Sequence, residues 1–200
     1  MLHTTRINAV PSYGYGIAPY FIAIGMWVGA IALLFVLRPL AGGSALRASA
    51  GAFLPAALLA VLQAAAVFVA LRYGLHLTFA DPGGLALLLV LTGLTFTAIN
   101  QSLVAAFGLA GRFLAMLVGV AQLAAAGGVY PAATTPAAIQ ALHPLLPMSH
   151  VVAAARSLIA GGMSNVFGAV AVLLMWLLGA WLVTLLAGHL RHVARTNAPA

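Results

Sequence analysis

The chain has 200 residues, of which 64% are hydrophobic and only 4% are charged. Soluble domains carry about 25% charged residues, so this composition excludes a water-soluble fold and indicates an integral membrane protein. The charges are eight arginines and one acid, Asp81. The arginines are scattered between apolar runs, which favours a role in membrane orientation over nucleic-acid binding. The absence of cysteine excludes disulfides and thiolate chemistry.

Five apolar segments are long enough to cross the hydrocarbon core, which takes about 20 residues of helix. Proline, glycine and arginine residues separate these segments. The predicted spans are residues 17–36, 52–71, 85–107, 113–128 and 167–187. We therefore predict an all-α polytopic membrane protein with about five transmembrane helices, in which residues 1–200 form a single membrane domain.

The stretch over residues 122–162 is too broken by glycine and proline to span a membrane. Its pattern predicts two short helices that are separated near His143-Pro144 and Pro147. The second helix is amphipathic, with apolar residues at helical spacing from Met148 onward and Arg156 on the other side. We predict a re-entrant helical hairpin over residues 131–162, before the last span. The residues that mark it are Tyr130, Pro131, His143, Pro144, Pro147 and Arg156.

Arginine placement predicts the orientation of the spans, because cytoplasmic loops are enriched in arginine and lysine. Five arginines fall on one side of the predicted membrane and three, with Asp81, on the other. All five tyrosines fall at the side with three arginines, as an aromatic belt would. The larger group is Arg38, Arg47, Arg112, Arg191 and Arg195; the smaller is Arg6, Arg72 and Arg156. We predict a plasma-membrane protein with an outside N-terminus, a cytoplasmic C-terminus and an extracytoplasmic hairpin. An outside polar N-terminus also predicts a further span and an external domain upstream, in a longer homologue or in another chain.

Polar side chains interrupt the predicted spans, and in lipid such groups cost energy unless they have a partner. They are Gln63, Thr97, Asn100, Gln101 and Gln122. One interpretation is interhelical hydrogen bonding, worth about 0.6 to 2 kcal/mol for each bond. The other is the lining of a substrate path. No ionisable residue accompanies the amides, which favours the first interpretation and leaves the second open. Gly25 and Gly29 form a small-xxx-small pattern that permits close helix contact.

Asp81, directly before Pro82, is predicted to be the N-cap of the third span. His143 and His150 flank the prolines and are predicted to make interfacial hydrogen bonds rather than bind a metal. Arg156 is interpreted as reaching lipid headgroups, with an acidic partner or substrate group as the alternative. No phosphate-binding loop, acid pair or nucleophile–base set is present. The sequence therefore predicts a protein that is not an enzyme, without catalytic residues, cofactor or metal.

Several motifs resemble, in order along the chain, the C-terminal membrane region of the YhgE/Pip (phage infection protein) family. The first are YGYGIAPYF at residues 13–21, WVGA at residues 27–30 and Arg38-Pro39. The later ones are Asn100-Gln101, Gly108, Gly111-Arg112, Gln122, GGVYP at residues 127–131, His143-Pro144, LPMS at residues 146–149 and Arg156. The resemblance covers nearly the whole chain.

This family belongs to the wider ABC-2-type membrane proteins, whose permeases have six spans and a re-entrant helix pair before the last. The resemblance implies an exporter-like subunit, a homodimer or heteromer, that is served by a separate ATPase. Members usually carry a first span and a large external domain ahead of the matched region. No substrate is implied. The alternative function is a non-transporting scaffold or receptor, since relatives act in phage entry and in assisting type VII secretion.

Overall fold

The structure, a computed structural model, describes residues 13–37, 40, 44–127, 135–161 and 165–196. Within these residues the chain is helical, with a π-helical turn at Ala70–Gly74 and no strand. The α-helices are α1 Tyr13–Val36, α2 Ala45–Val69, α3 Pro82–Phe107, α4 Leu109–Ala125, α5 Ala137–Leu142, α6 Pro147–Ala160 and α7 Val166–Thr196. The predicted all-α architecture is confirmed. Tyr130 and Pro131 lie outside the described residues, as do Arg6 and Arg38.

Four of these helices, α1, α2, α3 and α7, are long and apolar enough to cross a membrane. They correspond to the first, second, third and fifth predicted spans. Each extends beyond its predicted span, and α7 is the clearest case. It continues to Thr196, past His189 and Arg191, because no proline interrupts it and long basic side chains can reach a membrane surface.

The fourth predicted span corresponds to α4, an apolar helix of 17 residues. At 1.5 Å per residue it is about 26 Å long, whereas the hydrocarbon core is about 30 Å thick. A full crossing by α4 therefore stays a prediction. The helix follows α3 directly, because Gly108 has a φ of +61°, a backbone conformation that glycine adopts at little cost.

Helix α3 is the centre of the bundle and packs against α1, α2, α4, α6 and α7. It also carries six polar side chains, all of them buried: Thr92, Thr95, Thr97, Asn100, Gln101 and Ser102. One of them joins two helices, because the Thr95 hydroxyl donates to the carbonyl of Leu173 in α7 at 3.3 Å. A polar side chain that faces lipid has no water to bond with, which costs energy. The helix with the most polar side chains therefore lies in the interior of the bundle, where protein groups can bond with them.

One end of the bundle, called the Arg112 end, contains the last residues of α1, α3 and α7 and the first residues of α2 and α4. The guanidinium of Arg112 lies 5.3 Å from the centre of the Phe35 ring in α1. Arg191 in α7 donates to the carbonyl of Ala105 in α3 at 2.7 Å. Near the start of α2, the Ser49 hydroxyl donates to a carbonyl of α7.

The opposite end, called the Asp81 end, contains the start of α3 and the end of α6. The carboxylate of Asp81 accepts from the N–H of Gly84 at 2.9 Å, which confirms the predicted N-cap. The N–H of Asp81 donates to the carbonyl of Leu158 in α6 at 2.9 Å. Tyr15, near the start of α1, is hydrogen-bonded to Thr78 in the loop before α3. Asp81 and Tyr15 therefore lie at one end, as the sequence predicted.

Candidate functional site at the end of α4 and the α5–α6 hairpin

The predicted re-entrant segment corresponds to α5 and α6, which follow each other across a short turn between α4 and α7 in the chain. We call these two helices and their turn the α5–α6 hairpin; its re-entrant course stays a prediction. Its turn contains Leu145, whose carbonyl accepts from the indole N–H of Trp176 in α7 at 3.1 Å. From this turn α6 runs to the Asp81 end, where the carbonyl of Leu158 accepts from Asp81. The turn of the hairpin therefore lies well inside the length of α7, while α6 ends at the Asp81 end of the bundle.

The apolar stripe predicted on α6 faces protein. Met148, Val151 and Val152 are fully buried, and α6 packs against α1, α3 and α7. Ser149 and Ser157, on the predicted polar side, are buried as well. The second helix of the hairpin is therefore set into the bundle and does not lie on its surface.

Side chains of the hairpin hold the C-terminal end of α4. The last carbonyls of a helix have no partner within the helix. Here the carbonyl of Ala125 accepts from the hydroxyl of Ser149 at 3.4 Å. It also lies 2.5 Å from Nδ1 of His143. Because a carbonyl can only accept a hydrogen bond, Nδ1 is the donor in this pair. The carbonyl of Gly127 accepts from Arg156 at 3.0 Å. We call this set of bonds, together with that of Gln122 to Met148, the α4–hairpin contact.

Gln122 fixes the start of α6. The residue is fully buried, and its Oε1 accepts from the N–H of Met148 at 3.1 Å. The N-cap residue, Leu146, makes no capping hydrogen bond with its side chain, and Pro147 has no N–H to donate. Met148 thus carries the first N–H of α6 that needs a partner. Gln122, 26 residues earlier in the chain, provides the bond that an N-cap side chain normally provides.

Arg156 brings a positive charge to the α4–hairpin contact. Its side chain is half-buried, and this burial lowers the pKa of the guanidinium from its ordinary value. Arginine nevertheless stays charged, because its guanidinium is not deprotonated in proteins. The positive charge therefore lies beside the last carbonyls of α4, where a helix C-terminus stabilises a cation. The predicted contact of Arg156 with headgroups or with an acidic group stays a prediction.

The other predicted polar residues lie elsewhere in the bundle. Gln63 in α2 donates to the carbonyl of Gly25 in α1 at 2.9 Å. Thr97 and Gln101 line a cavity of about 10 Å³ between α1, α2 and α3, which is about the space of one water molecule. Asn100 donates to the carbonyl one turn back in its own helix. This cavity is lined by two of the five predicted polar residues.

Some buried polar atoms have no hydrogen-bond partner within the part of the chain that the structure describes. They are Trp27 Nε1, Thr97 Oγ1, Asn100 Oδ1, Arg112 Nε and Gln122 Nε2. The Trp27 ring packs edge-on against Phe96, with 5.0 Å between ring centres. Trp27 thus packs against a neighbouring helix. The amides of Asn100 and Gln122 each have one buried atom, Oδ1 and Nε2 respectively, without a hydrogen-bond partner among the described residues.

Gly29→Ala is expected to weaken the contact between α1 and α2, whereas Gly25→Ala is not. A methyl group at Gly29 would lie 2.5 Å from Cδ of Gln63 and would displace this amide from the Gly25 carbonyl. A methyl group at Gly25 would meet no atom within 4 Å. Both variants gain the same helix propensity, so we expect Gly29→Ala to have a free energy of unfolding about 0.6 to 2 kcal/mol lower than that of Gly25→Ala, the value of an interhelical hydrogen bond, as measured by reversible unfolding in detergent. Equal stability of the two variants would contradict the predicted packing role of Gly29.

The chemistry of the α4–hairpin contact is that of hydrogen bonding. It contains two backbone carbonyls, one backbone N–H, one side-chain amide, one hydroxyl, one imidazole and one guanidinium. Among the described residues, no group of three or more side chains is placed to hold a metal ion. The arrangement can join α4 to the hairpin so that the two move together.

Comparison with known proteins gives one close match over most of the chain. The chain is 32% identical over 161 residues to the uncharacterized protein YhgE of Bacillus subtilis strain 168. The matched residues make up 78% of this chain and 21% of that relative, so the chain spans about one fifth of the length of the protein it matches. No protein-family model and no solved structure matches the chain.

Proposed function

The chain belongs to the YhgE family, and on that premise we propose that it is a permease-like membrane subunit of an ABC-2-type export system. It is a membrane protein with helices long enough to span a bilayer. In this proposal the whole chain is one ABC-2-type membrane domain that assembles with a second copy or a related chain. A separate ATPase supplies the energy for export.

The depth of the α5–α6 hairpin carries the proposal. Trp176, which binds the hairpin turn, is the eleventh residue of α7. It therefore lies about 15 Å from the start of α7, which is about half of the hydrocarbon thickness. A helix pair that reaches this depth and returns to the Asp81 end fits the re-entrant pair that ABC-2-type permeases have before their last span.

The remaining predicted span of the proposal is α4, which enters from the Arg112 end, where Arg112 in its first turn can reach the membrane surface. Its last turn meets the hairpin at Met148, so α4 by itself ends at the depth of the hairpin turn. The α4–hairpin contact then ties this span to the re-entrant pair. A shift of α4 driven by the ATPase would move the hairpin with it, which is how the subunit would gate a path.

Co-purification and ATP-dependent labelling test the proposal without knowledge of the substrate. We expect the tagged chain to purify from native membranes with an ATP-hydrolysing subunit. In that complex, ATP should change the labelling rate of Leu145→Cys, at the exposed hairpin turn, but not that of Ser44→Cys before α2. If no ATPase co-purifies and ATP changes neither rate, the chain is a non-transporting scaffold or receptor.

We infer further that the Arg112 end faces the cytoplasm. Arg47, Arg112 and Arg191 lie at this end, and arginine is enriched on the cytoplasmic side. Because the natural chain has no cysteine, single cysteines report directly on sidedness. A membrane-impermeant maleimide should label Ala80→Cys in intact cells and Ser44→Cys only after permeabilisation. The reverse pattern would overturn this orientation.

A further inference from the structure

Helices α3 and α7 line an apolar groove of about 600 Å³ in the half of the bundle nearer the Arg112 end, the α3–α7 groove. Along α7 it extends from Met175 to Val183, which is about 12 Å. Phe107 borders it on α3 and is 58% exposed, and Met175 on α7 is 64% exposed. The groove therefore opens at the outer surface of the bundle, where spanning helices meet lipid.

The polar groups that line this groove are used within the protein. The hydroxyl of Ser102 donates to the carbonyl of Ile99 at 2.8 Å. The indole N–H of Trp176 donates to the carbonyl of Leu145 in the hairpin turn. The groove thus presents hydrocarbon to whatever enters it. Over Gly179 there is open space, since a methyl group there would meet no atom within 4 Å.

Positive charge lies at the end of the groove that is nearer the Arg112 end. Arg191 donates to the carbonyl of Ala105, and the next residue along α3, Ala106, lines the groove. A guanidinium has five N–H donors, and this bond uses one of them. The only acidic side chain of the sequence, Asp81, lies at the opposite end of the bundle. The groove therefore combines an apolar length with a cationic terminus that is suited to an anionic headgroup.

We propose that the α3–α7 groove binds one acyl chain of an anionic phospholipid, with the lipid phosphate beside Arg191. The position of the charge agrees with one leaflet. The guanidinium of Arg191 lies at Ala105, beside the end of the groove, and the groove is about 12 Å long. The hydrocarbon of one leaflet is about 15 Å thick. A phosphate in the headgroup layer that reaches this guanidinium thus places its acyl chain along the groove, with the end of the chain near Trp176.

Quenching of tryptophan fluorescence by brominated lipids tests this site. The chain has three tryptophans: Trp27 is buried, Trp176 lines the groove and Trp181 lines a different groove between α2 and α7. In the Trp181→Phe variant, the fluorescence that lipids can quench therefore comes from Trp176. In the Trp176→Phe variant, it comes from Trp181. In vesicles we expect phosphatidylglycerol brominated on its acyl chain to bind beside Trp176 about fivefold more strongly than the matched phosphatidylcholine, the preference that one arginine gives.

Variants separate this site from a general attraction of anionic lipid. In the Trp181→Phe background, Arg191→Gln and Gly179→Leu should each remove the preference, the first by charge and the second by filling the groove. Arg191→Lys should retain it, and so should Arg47→Gln, which removes a charge from the same end of the bundle. Circular dichroism confirms that each variant is folded. Equal quenching by both lipids, a preference that survives Arg191→Gln, or the same preference at Trp181 would overturn the proposal. Quenching by neither lipid would show that protein covers the groove and would also overturn it.

Discussion

Gly111→Ala is expected to disrupt the pairing of α3 and α4 and to lower the stability of the protein by about 3 kcal/mol, the upper part of the range for overpacking. A methyl group at Gly111 would overlap the carbonyl oxygen of Leu103 and lie 2.7 Å from Cα of Val104. These are backbone atoms, which cannot rotate away as a side chain can. The two helices would therefore have to separate at the start of α4.

The direction of the stability change in Gly111→Ala distinguishes overpacking from helix propensity. Alanine has a higher helix propensity than glycine by about 1 kcal/mol, so propensity alone would make the variant more stable. Gly179→Ala is the matched control, since Gly179 also lies within a helix but has open space around it. Thermal unfolding in detergent should show a lower midpoint for Gly111→Ala and an unchanged or higher one for Gly179→Ala. A Gly111→Ala protein as stable as the parent would mean that the α3 and α4 backbones are not in contact.

Gln122→Met is expected to loosen the first turn of α6. Methionine has a similar length but offers no comparable acceptor, so the buried N–H of Met148 loses its partner. An unsatisfied buried N–H costs about 1 to 3 kcal/mol. Part of this cost is offset, because the substitution also removes Nε2 of Gln122, which has no partner among the described residues. We expect a net loss of about 1 to 2 kcal/mol, or roughly 5- to 30-fold faster amide exchange at the start of α6.

Hydrogen–deuterium exchange in lipid nanodiscs measures this change peptide by peptide. Exchange should increase in α6 and stay unchanged in α3, since α3 makes no hydrogen bond with Gln122. Gln63→Met is the control, because it also removes one amide contact between two helices, but at a helix carbonyl that has a backbone partner. It should leave α6 unchanged. If exchange in α6 is the same in Gln122→Met and in the parent protein, Gln122 does not cap that helix.

The sequence predicted the helical elements well because the signals for them are local. Apolar runs marked the helices that are long enough to span, and Asp81 before Pro82 marked the N-cap of α3. Gly161 ends α6 in a left-handed conformation, which is a common local signal for a helix end. The ends of the helices were less predictable. Polar residues such as His189 do not stop a helix, so α7 extends further than its apolar run.

The sequence did not predict which polar residues would meet. Gln63, Asn100 and Gln122 look alike as amides in apolar helices, yet one joins two helices, one bonds to its own helix and one caps α6. A partial signal was present, because Leu146-Pro147 starts a helix without an acceptor and Gln122 needs a partner. To connect these two observations requires knowledge that α4 and α6 lie side by side.

The sequence by itself determined that this protein is an all-α membrane protein, because composition and local pattern decide whether a segment is stable as a helix in the bilayer. Its order of motifs also predicted the YhgE family. Only the tertiary structure decided that α3 is central, that the end of α4 is held by His143, Ser149 and Arg156, and that α3 and α7 leave an apolar groove. Helices in lipid have little hydrophobic preference for one another. Their arrangement therefore depends on close packing and on individual hydrogen bonds between residues far apart in sequence, which no local pattern records.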